Sequence, residues 1–167
     1  MKNIILIGMP GAGKSTIGVV LAKKMGYHFI DSDLLIQEQE HMLLHRIIEE
    51  KGADVFKQIE NKVNASIDTQ NAVIATGGSV VYGVEAMMHL KSIGTIIYLK
   101  LPYDELEMRL GDLTKRGVVL KPGQELIDLY EERTILYERY ADITVDCSQK
   151  QIRDIVERIA LEFEAGM

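Results

Sequence analysis

The stretch that decides the fold of this chain reads Gly8-Met9-Pro10-Gly11-Ala12-Gly13-Lys14-Ser15. It fits the pattern G-x-x-x-x-G-K-[ST], and it stands between an apolar run and a segment, residues 14–25, whose apolar residues share one helical face. In such a loop the backbone N–H groups converge on phosphate oxygens, and the following helix directs its positive end at them. A glycine-rich turn that only caps a helix fits poorly with both flanks and the full match. We therefore predict a P-loop that binds a nucleoside triphosphate.

The loop also indicates which residues contact the nucleotide. Lys14 adds a positive charge beside the phosphates, and the Ser15 hydroxyl is placed to ligate magnesium. ATP or GTP, together with Mg²⁺, is therefore the expected cofactor. The predicted nucleotide contacts within this segment are Gly11, Ala12, Gly13, Lys14, Ser15 and Thr16.

Short apolar or β-branched runs recur along the chain and alternate with segments typical of helix or loop. They lie at residues 4–7, 27–31, 72–76, 95–101 and 142–146. Strands that alternate with crossover helices favour a mainly parallel sheet with helices on both faces, and ligands then bind beyond the carboxyl ends of the strands. We predict an α/β fold with the chemistry at that edge.

Composition limits the partners of the protein. The chain has 167 residues, 47% of them hydrophobic, which is enough for one compact domain, residues 1–167. Its 19 basic and 25 acidic residues give a net charge of −6, which repels nucleic acid and anionic membranes. We expect a monomer that acts on a small molecule, with local cations wherever an anionic substrate binds.

The single cysteine, Cys147, fits a reducing compartment, since it has no partner within the chain for a disulfide. The apolar start, residues 4–7, is interrupted by glycine and proline, which argues against a targeting segment. No apolar stretch approaches the length needed to span a bilayer. We expect a soluble, cytoplasmic protein.

Two carboxylates follow the second apolar run, which ends in Asp31-Ser32-Asp33. In a parallel sheet they emerge at the edge that holds the phosphate loop. Asp31 would act through the magnesium shell, whereas Asp33 could hold an acceptor hydroxyl and take its proton. The alternative is capping of a helix that begins near Leu34, and the two roles are compatible.

With these motifs the sequence resembles the shikimate kinase family of P-loop kinases over nearly the whole chain. That family carries a glycine-rich phosphate loop, a D-x-D pair after the second strand and a TGG motif. The further matching segments are Phe56-Lys57-Gln58-Ile59-Glu60 for F-R-x-x-E, Ala75-Thr76-Gly77-Gly78-Ser79 for A-T-G-G-G, and Arg133-Thr134-Ile135-Leu136-Tyr137 for R-x-x-L-Y.

The resemblance implies a three-layer α/β/α P-loop kinase fold with a five-stranded, mainly parallel sheet and a mobile lid. It implies transfer of the ATP γ-phosphate to the 3-hydroxyl of shikimate, a step of aromatic amino acid biosynthesis. Arg109 resembles the family's adenine-stacking arginine, although an exposed pair with Glu105 would look the same. The residues that the resemblance places around the acceptor are Asp33, Lys57, Gly77, Gly78 and Arg133.

The helical pattern of residues 124–139 supports one of these positions independently. Leu126, Leu129 and Tyr137 belong to an apolar stripe, and Arg133 falls on the same stripe. Burying an unpaired guanidinium is very costly, so an inward arginine implies an adjacent anion, either a structural carboxylate or a ligand. For Thr76-Gly77-Gly78, by contrast, an ordinary turn is the simplest interpretation without the family.

Residues 111–123 carry three glycines around Lys115, Arg116 and Lys121. This composition predicts a mobile lid that closes over bound phosphates, excludes water and brings Arg116 to the nucleotide and the transferring group. The alternative is a solvated surface loop. Together with Lys14 and Asp33, Arg116 completes the predicted catalytic residues.

Three departures from the family pattern concern the acceptor. Lys57 replaces the arginine of F-R-x-x-E, Ser79 replaces the third glycine of G-G-G, and Arg116-Gly117-Val118-Val119 replaces R-P-L-L. Lysine lacks the planar, two-pronged contact of arginine with a carboxylate, and loss of one charge-assisted hydrogen bond costs about 1.5 to 3 kcal/mol. The departures leave three readings open: a shikimate kinase, a kinase of another small hydroxylated acid or polyol, and a non-catalytic ATP-binding regulatory domain.

Overall fold

Five parallel strands form the centre of the computed structural model, which describes residues 2–110 and 120–166. The sheet has the order β2-β3-β1-β4-β5, and each neighbouring pair is parallel. The α/β class and the mainly parallel sheet are confirmed, and the strands agree closely with the predicted apolar runs. The strands are β1 (Asn3–Ile7), β2 (His28–Asp31), β3 (Ala72–Ala75), β4 (Gly94–Lys100) and β5 (Ile143–Asp146).

Helices cover both faces of this sheet. They are α1 (Lys14–Met25), α2 (Ser32–Glu40), α3 (Leu44–Lys51), α4 (Ala53–Ala65), α5 (Val84–Ile93), α6 (Tyr103–Arg109), α7 (Leu126–Tyr140) and α8 (Ile152–Ala165), with a 3-10 helix at Val80–Tyr82. The α1 crossover runs from β1 toward the β2 edge, and the α5 crossover runs from β3 toward the β5 edge. Because crossovers of this kind are right-handed, opposite directions place the two helices on opposite faces. The predicted three-layer arrangement is confirmed.

The helix ends follow from local chemistry. Gly26 ends α1 with φ 70°, a left-handed conformation that glycine adopts without a Cβ clash. The second helix begins at Ser32, earlier than the expected start near Leu34, because the Asp31 side chain accepts a hydrogen bond from the Asp33 N–H and caps it. In α7 a capping box of Glu125 and Asp128 fixes the first turn.

The apolar side chains form two clusters. The larger surrounds β1, whose residues are all buried, and includes the inner faces of α1, α5, α7 and α8. The smaller joins α2, α3 and α4 through Ile36, Ile47, Phe56 and Val63. This second cluster holds α4 in place beside the carboxyl ends of the strands.

Chain connections leave the neighbouring strands β1 and β3 in opposite directions, which opens a crevice at their carboxyl ends. The phosphate loop follows β1, and the Thr76-Gly77-Gly78 segment follows β3. The fold therefore brings these two motifs to one place. In the part of the chain that the structure describes, no helix combines the length and apolar character needed to cross a membrane.

Candidate active site

A cavity of about 520 Å³ opens at this crevice. Its walls come from the phosphate loop, the start of α1, helices α2, α3, α4, α6 and α7, and the segment after β3. The lining residues are Pro10, Gly11, Gly13, Lys14, Ser15, Thr16, Asp33, Leu44, Phe56, Glu60, Thr76, Gly77, Gly78, Ser79, Arg109 and Arg133. Most of the predicted site residues therefore face one space.

The phosphate loop has the backbone that its sequence predicts. Gly11 and Gly13 have φ values of 85° and 92°, a left-handed conformation that side chains with a Cβ rarely adopt. The Lys14 ammonium is almost fully buried and donates hydrogen bonds to the carbonyl oxygens of Gly8 and Met9 at 2.7 and 2.8 Å. Burial lowers the pKa of Lys14 to about 8, although the nearby Asp33 carboxylate raises it. The loop holds a cation that is ready to meet phosphate oxygens.

Ser15 and Asp31 meet at the mouth of the loop. The Ser15 hydroxyl donates a hydrogen bond to Oδ2 of Asp31 at 2.8 Å, while Oδ1 accepts from the Asp33 N–H at 2.9 Å. Asp31 therefore performs one of the two roles weighed from the sequence, since it caps α2. Its other oxygen lies beside Ser15, and the magnesium role stays a prediction. A hydroxyl and a carboxylate oxygen are ligands that fit Mg²⁺, which takes few protein ligands and completes its shell with phosphates and water.

Asp33 lines the cavity itself. Burial, with a smaller contribution from Asp31, raises its pKa to about 6, and Lys14 opposes that rise. A Cβ on Gly77 would come within 2.7 Å of Asp33 Oδ1, so the missing side chain is what leaves room for the carboxylate. A carboxylate with a pKa near neutrality, held against the phosphate loop, can accept a proton from a hydroxyl group.

Glu60 is a second buried carboxylate of the cavity, and the sequence assigned it no role of its own. Its Oε1 accepts a hydrogen bond from the Ser79 hydroxyl at 2.5 Å, and its Oε2 has no hydrogen-bond partner among the described residues. Burial raises the pKa of Glu60 to about 7. Its place as the last residue of Phe56-Lys57-Gln58-Ile59-Glu60 was the signal that could have identified it.

Arg133 points inward, as the apolar stripe predicts, and only 1% of its surface is exposed. Its Nη1 lies 2.9 Å from the position that a Cβ on Gly78 would take, so Gly78 gives the guanidinium its space. The Gly78 carbonyl accepts a hydrogen bond from the Tyr137 hydroxyl at 2.6 Å, which ties this segment to α7. Within the described chain, Arg133 Nε has no hydrogen-bond partner, a rare state for a buried group that indicates a site for a ligand.

Lys57 does not line the cavity. Its Nζ lies 4.3 Å from the centroid of the Tyr82 ring, and the same ring has the Arg133 guanidinium at 5.4 Å. The Tyr82 hydroxyl donates a hydrogen bond to Glu132, which also accepts one from Lys121 at 3.1 Å. Burial and the charge of Arg133 lower the pKa of Lys57. Two cations thus lie beside Tyr82, a contact that sequence spacing did not reveal.

Arg109 lies at the phosphate loop, where its Nη1 donates to the Gly11 carbonyl at 3.4 Å. It also forms the ion pair with Glu105 that the sequence suggested, at 3.8 Å. Ala12, within the phosphate loop, is buried. Arg116 and most of the predicted lid lie outside the described residues, which resume at residue 120.

Comparison with known proteins gives a consistent result. The shikimate kinase family model matches residues 10–164. A shikimate kinase of Sulfurihydrogenibium sp. is 35% identical over 160 residues, which is 95% of this chain and 96% of that protein. The solved structure of Acinetobacter baumannii shikimate kinase in complex with shikimate has a TM-score of 0.88 at 31% identity and covers 99% of this chain and 94% of its own. The solved structure of Aquifex aeolicus shikimate kinase has a TM-score of 0.82 at 32% identity and covers 98% of this chain and 97% of its own.

Proposed function

We propose that this chain, which belongs to the shikimate kinase family, transfers the γ-phosphate of ATP to the 3-hydroxyl group of shikimate. The observation that carries the proposal is the shared cavity: Lys14 of the phosphate loop, the Asp33 carboxylate and the Arg133 guanidinium all line it. A phosphate-binding loop, a proton acceptor and an anion-binding cation are the parts that phosphorylation of a hydroxy acid requires.

On the nucleotide side, the backbone N–H groups of the loop and the Lys14 ammonium hold the phosphates. Ser15 and Asp31 would hold Mg²⁺, which neutralises charge on the phosphate oxygens when bound. Thr16 and Arg109 line the same end of the cavity and complete the proposed nucleotide contacts. Arg116, which lies outside the described residues, is proposed to bind the transferring phosphoryl group from the predicted lid.

On the acceptor side, Asp33 orients the attacking hydroxyl and takes its proton as the oxygen–phosphorus bond forms. Arg133 binds the carboxylate of the acceptor. Lys57, which contacts the same Tyr82 ring as Arg133, supplies a second positive charge for that carboxylate. Gly77 and Gly78 contribute by lacking a Cβ, because the space of the missing side chains is taken by the Asp33 carboxylate and the Arg133 guanidinium that face the acceptor.

The reaction needs ATP and one small acceptor, and the net charge of −6 does not favour nucleic acid. We therefore propose that residues 1–167 act as one kinase domain, as a monomer in the cytoplasm.

The test is ADP release measured in a coupled assay with ATP, Mg²⁺ and a panel of hydroxylated acids and polyols. We expect a shikimate-dependent rate well above the ATPase background. A rate at background level with millimolar shikimate excludes the proposal. A faster rate with another member of the panel would support the second candidate, a kinase of a related hydroxy acid, which the replacement of arginine by Lys57 favours.

A further inference from the structure

Of the departures from the family pattern that fall within residues 2–110 and 120–166, Ser79 is the one that lines the cavity. It stands at the start of the 3-10 helix, where the buried Val80 and Val81 anchor the segment, and only 6% of its surface is exposed. Its hydroxyl donates to Oε1 of Glu60 at 2.5 Å. A glycine at this position has no donor to offer, so this contact depends on the serine.

The Ser79 hydrogen bond decides how Glu60 faces the cavity. With Oε1 engaged, Oε2 is the free oxygen, and it has no partner among the described residues although Glu60 is only 2% exposed. Glu60 Oε2 and Asp33 Oδ1 both border Gly77, at 2.8 and 2.7 Å from the position of a Cβ built there. Two carboxylate oxygens thus border the same point beside Gly77, near the place proposed for the acceptor hydroxyl.

Charged groups from three other elements act on Glu60. Asp33 on α2 raises its pKa, while Arg133 on α7 and Lys57 on α4 itself lower it. Lys14 on α1 also interacts with it electrostatically. The Ser79 hydrogen bond is the largest of the influences that favour the ionised form, and burial opposes it. Without that bond, a larger fraction of Glu60 is protonated at neutral pH.

We propose that Ser79 is a positioning residue: its hydroxyl fixes the orientation of Glu60, so that the second carboxyl oxygen, beside Gly77, is available to a donor group of the acceptor. This inference rests on the proposed function for the identity of the acceptor. It predicts that a change at Ser79 alters the affinity for the acceptor but not the affinity for the nucleotide, because Glu60 lies on the acceptor side of the cavity.

The first test compares Ser79→Ala with wild type, with Ser79→Thr as the variant that keeps a hydroxyl and Ser66→Ala as the control. Ser66 lies at the end of the same helix as Glu60, and its hydroxyl bonds only to the Val63 carbonyl among described residues. We expect Ser79→Ala to raise the KM for shikimate about tenfold, as for loss of a charge-assisted hydrogen bond. The KM for ATP should stay within about twofold, and Ser79→Thr should restore the KM for shikimate.

The second test is the pH profile of kcat/KM for shikimate. Removing the hydrogen bond raises the pKa of Glu60, so the decline in kcat/KM on acidification should begin at higher pH in Ser79→Ala than in wild type. An unchanged KM with an unchanged profile overturns the inference. A lower KM in Ser79→Ala also overturns it, since Glu60 would then compete with the acceptor for Arg133.

A third measurement does not depend on the acceptor. In ligand-free protein, the free energy of unfolding should fall as pH rises toward the native pKa of Glu60, and the fall should extend to higher pH in Ser79→Ala. If wild type phosphorylates nothing in the panel but this difference appears, the proposed function fails while the Ser79 to Glu60 coupling stands. If shikimate is phosphorylated, but neither the kcat/KM profile nor the unfolding profile of Ser79→Ala differs from that of wild type, the proposed coupling fails and the proposed function stands.

Discussion

The hydroxyl of Ser15 donates a hydrogen bond to Oδ2 of Asp31 across 2.8 Å, which joins the loop after β1 to the end of β2. These strands are not neighbours, since β3 lies between them. The contact therefore bridges the crevice where the sheet connections diverge, and it brings a hydroxyl and a carboxylate oxygen together at the mouth of the phosphate loop.

Asp31→Asn separates the two roles of that residue. Asparagine still caps α2, so the fold should persist, but it weakens the magnesium site because the carboxylate charge is lost. We expect the Mg²⁺ concentration for half-maximal activity to rise about tenfold. Asp146→Asn, at the exposed carboxyl end of β5, is the matched control. An unchanged magnesium requirement in Asp31→Asn would remove Asp31 from the metal site.

Lys14→Ala should reduce kcat at least about 100-fold, since it removes the cation placed against the phosphates. The same truncation at Lys23, which is exposed on the opposite end of α1, should have little effect. Steady-state kinetics at saturating ATP measure both. A Lys14→Ala enzyme with more than a tenth of wild-type turnover contradicts the assigned role.

Asp33→Asn should lower kcat by about 10² to 10⁴ while the Kd for ATP changes little, because the lost proton acceptor serves the acceptor hydroxyl. In wild type, kcat/KM for shikimate should decline as pH falls through about 6, where Asp33 of the free enzyme becomes protonated. Binding of ATP by calorimetry and turnover by the coupled assay give the two quantities. Asp54→Asn, exposed in the first turn of α4, is the control. An equal loss of ATP affinity and turnover in Asp33→Asn would place the residue with the nucleotide.

Lys57→Arg probes the acceptor. Arginine stacks on an aromatic ring and binds a carboxylate with two hydrogen bonds, so it suits the place beside Tyr82. If shikimate is the natural acceptor, the KM for shikimate should stay the same or fall by up to about tenfold. Lys62→Arg on the same helix serves as the control. A much higher KM in Lys57→Arg would mean that the lysine is adapted to a different acid.

The ligand-free protein should lose stability as pH rises from about 4 to 7. Burial raises the pKa of Asp33 to about 6 and that of Glu60 to about 7, so these two carboxyl groups bind more protons in the folded protein than in the unfolded chain over this range. The stabilisation from protonation is complete below the unfolded pKa values and disappears as pH rises through the folded ones. Urea unfolding at several pH values should show a decline on the order of 1 to 3 kcal/mol, and Glu60→Gln should reduce it. A flat profile would contradict both raised pKa values.

Sequence alone determined the features that depend on local pattern. The phosphate loop, the strands, the course of α1 and the inward direction of Arg133 follow from glycine spacing and from apolar residues that repeat with the period of a strand or a helix. The motifs also placed the chain in its family, which the comparisons confirmed. These features need only neighbours in the chain, so a single sequence carries them.

Tertiary structure decided what depends on contacts between distant elements. Glu60 became a cavity residue because α4 packs beside the segment after β3, where Ser79 meets it. Lys57 lies against Tyr82, outside the cavity lining, because a residue on the 3-10 helix reaches it from another part of the chain. The raised pKa values of Asp33 and Glu60 come from burial, which depends on how helices close over the crevice. Periodicity tells which way a side chain faces, but only the packed structure shows which charge it meets there.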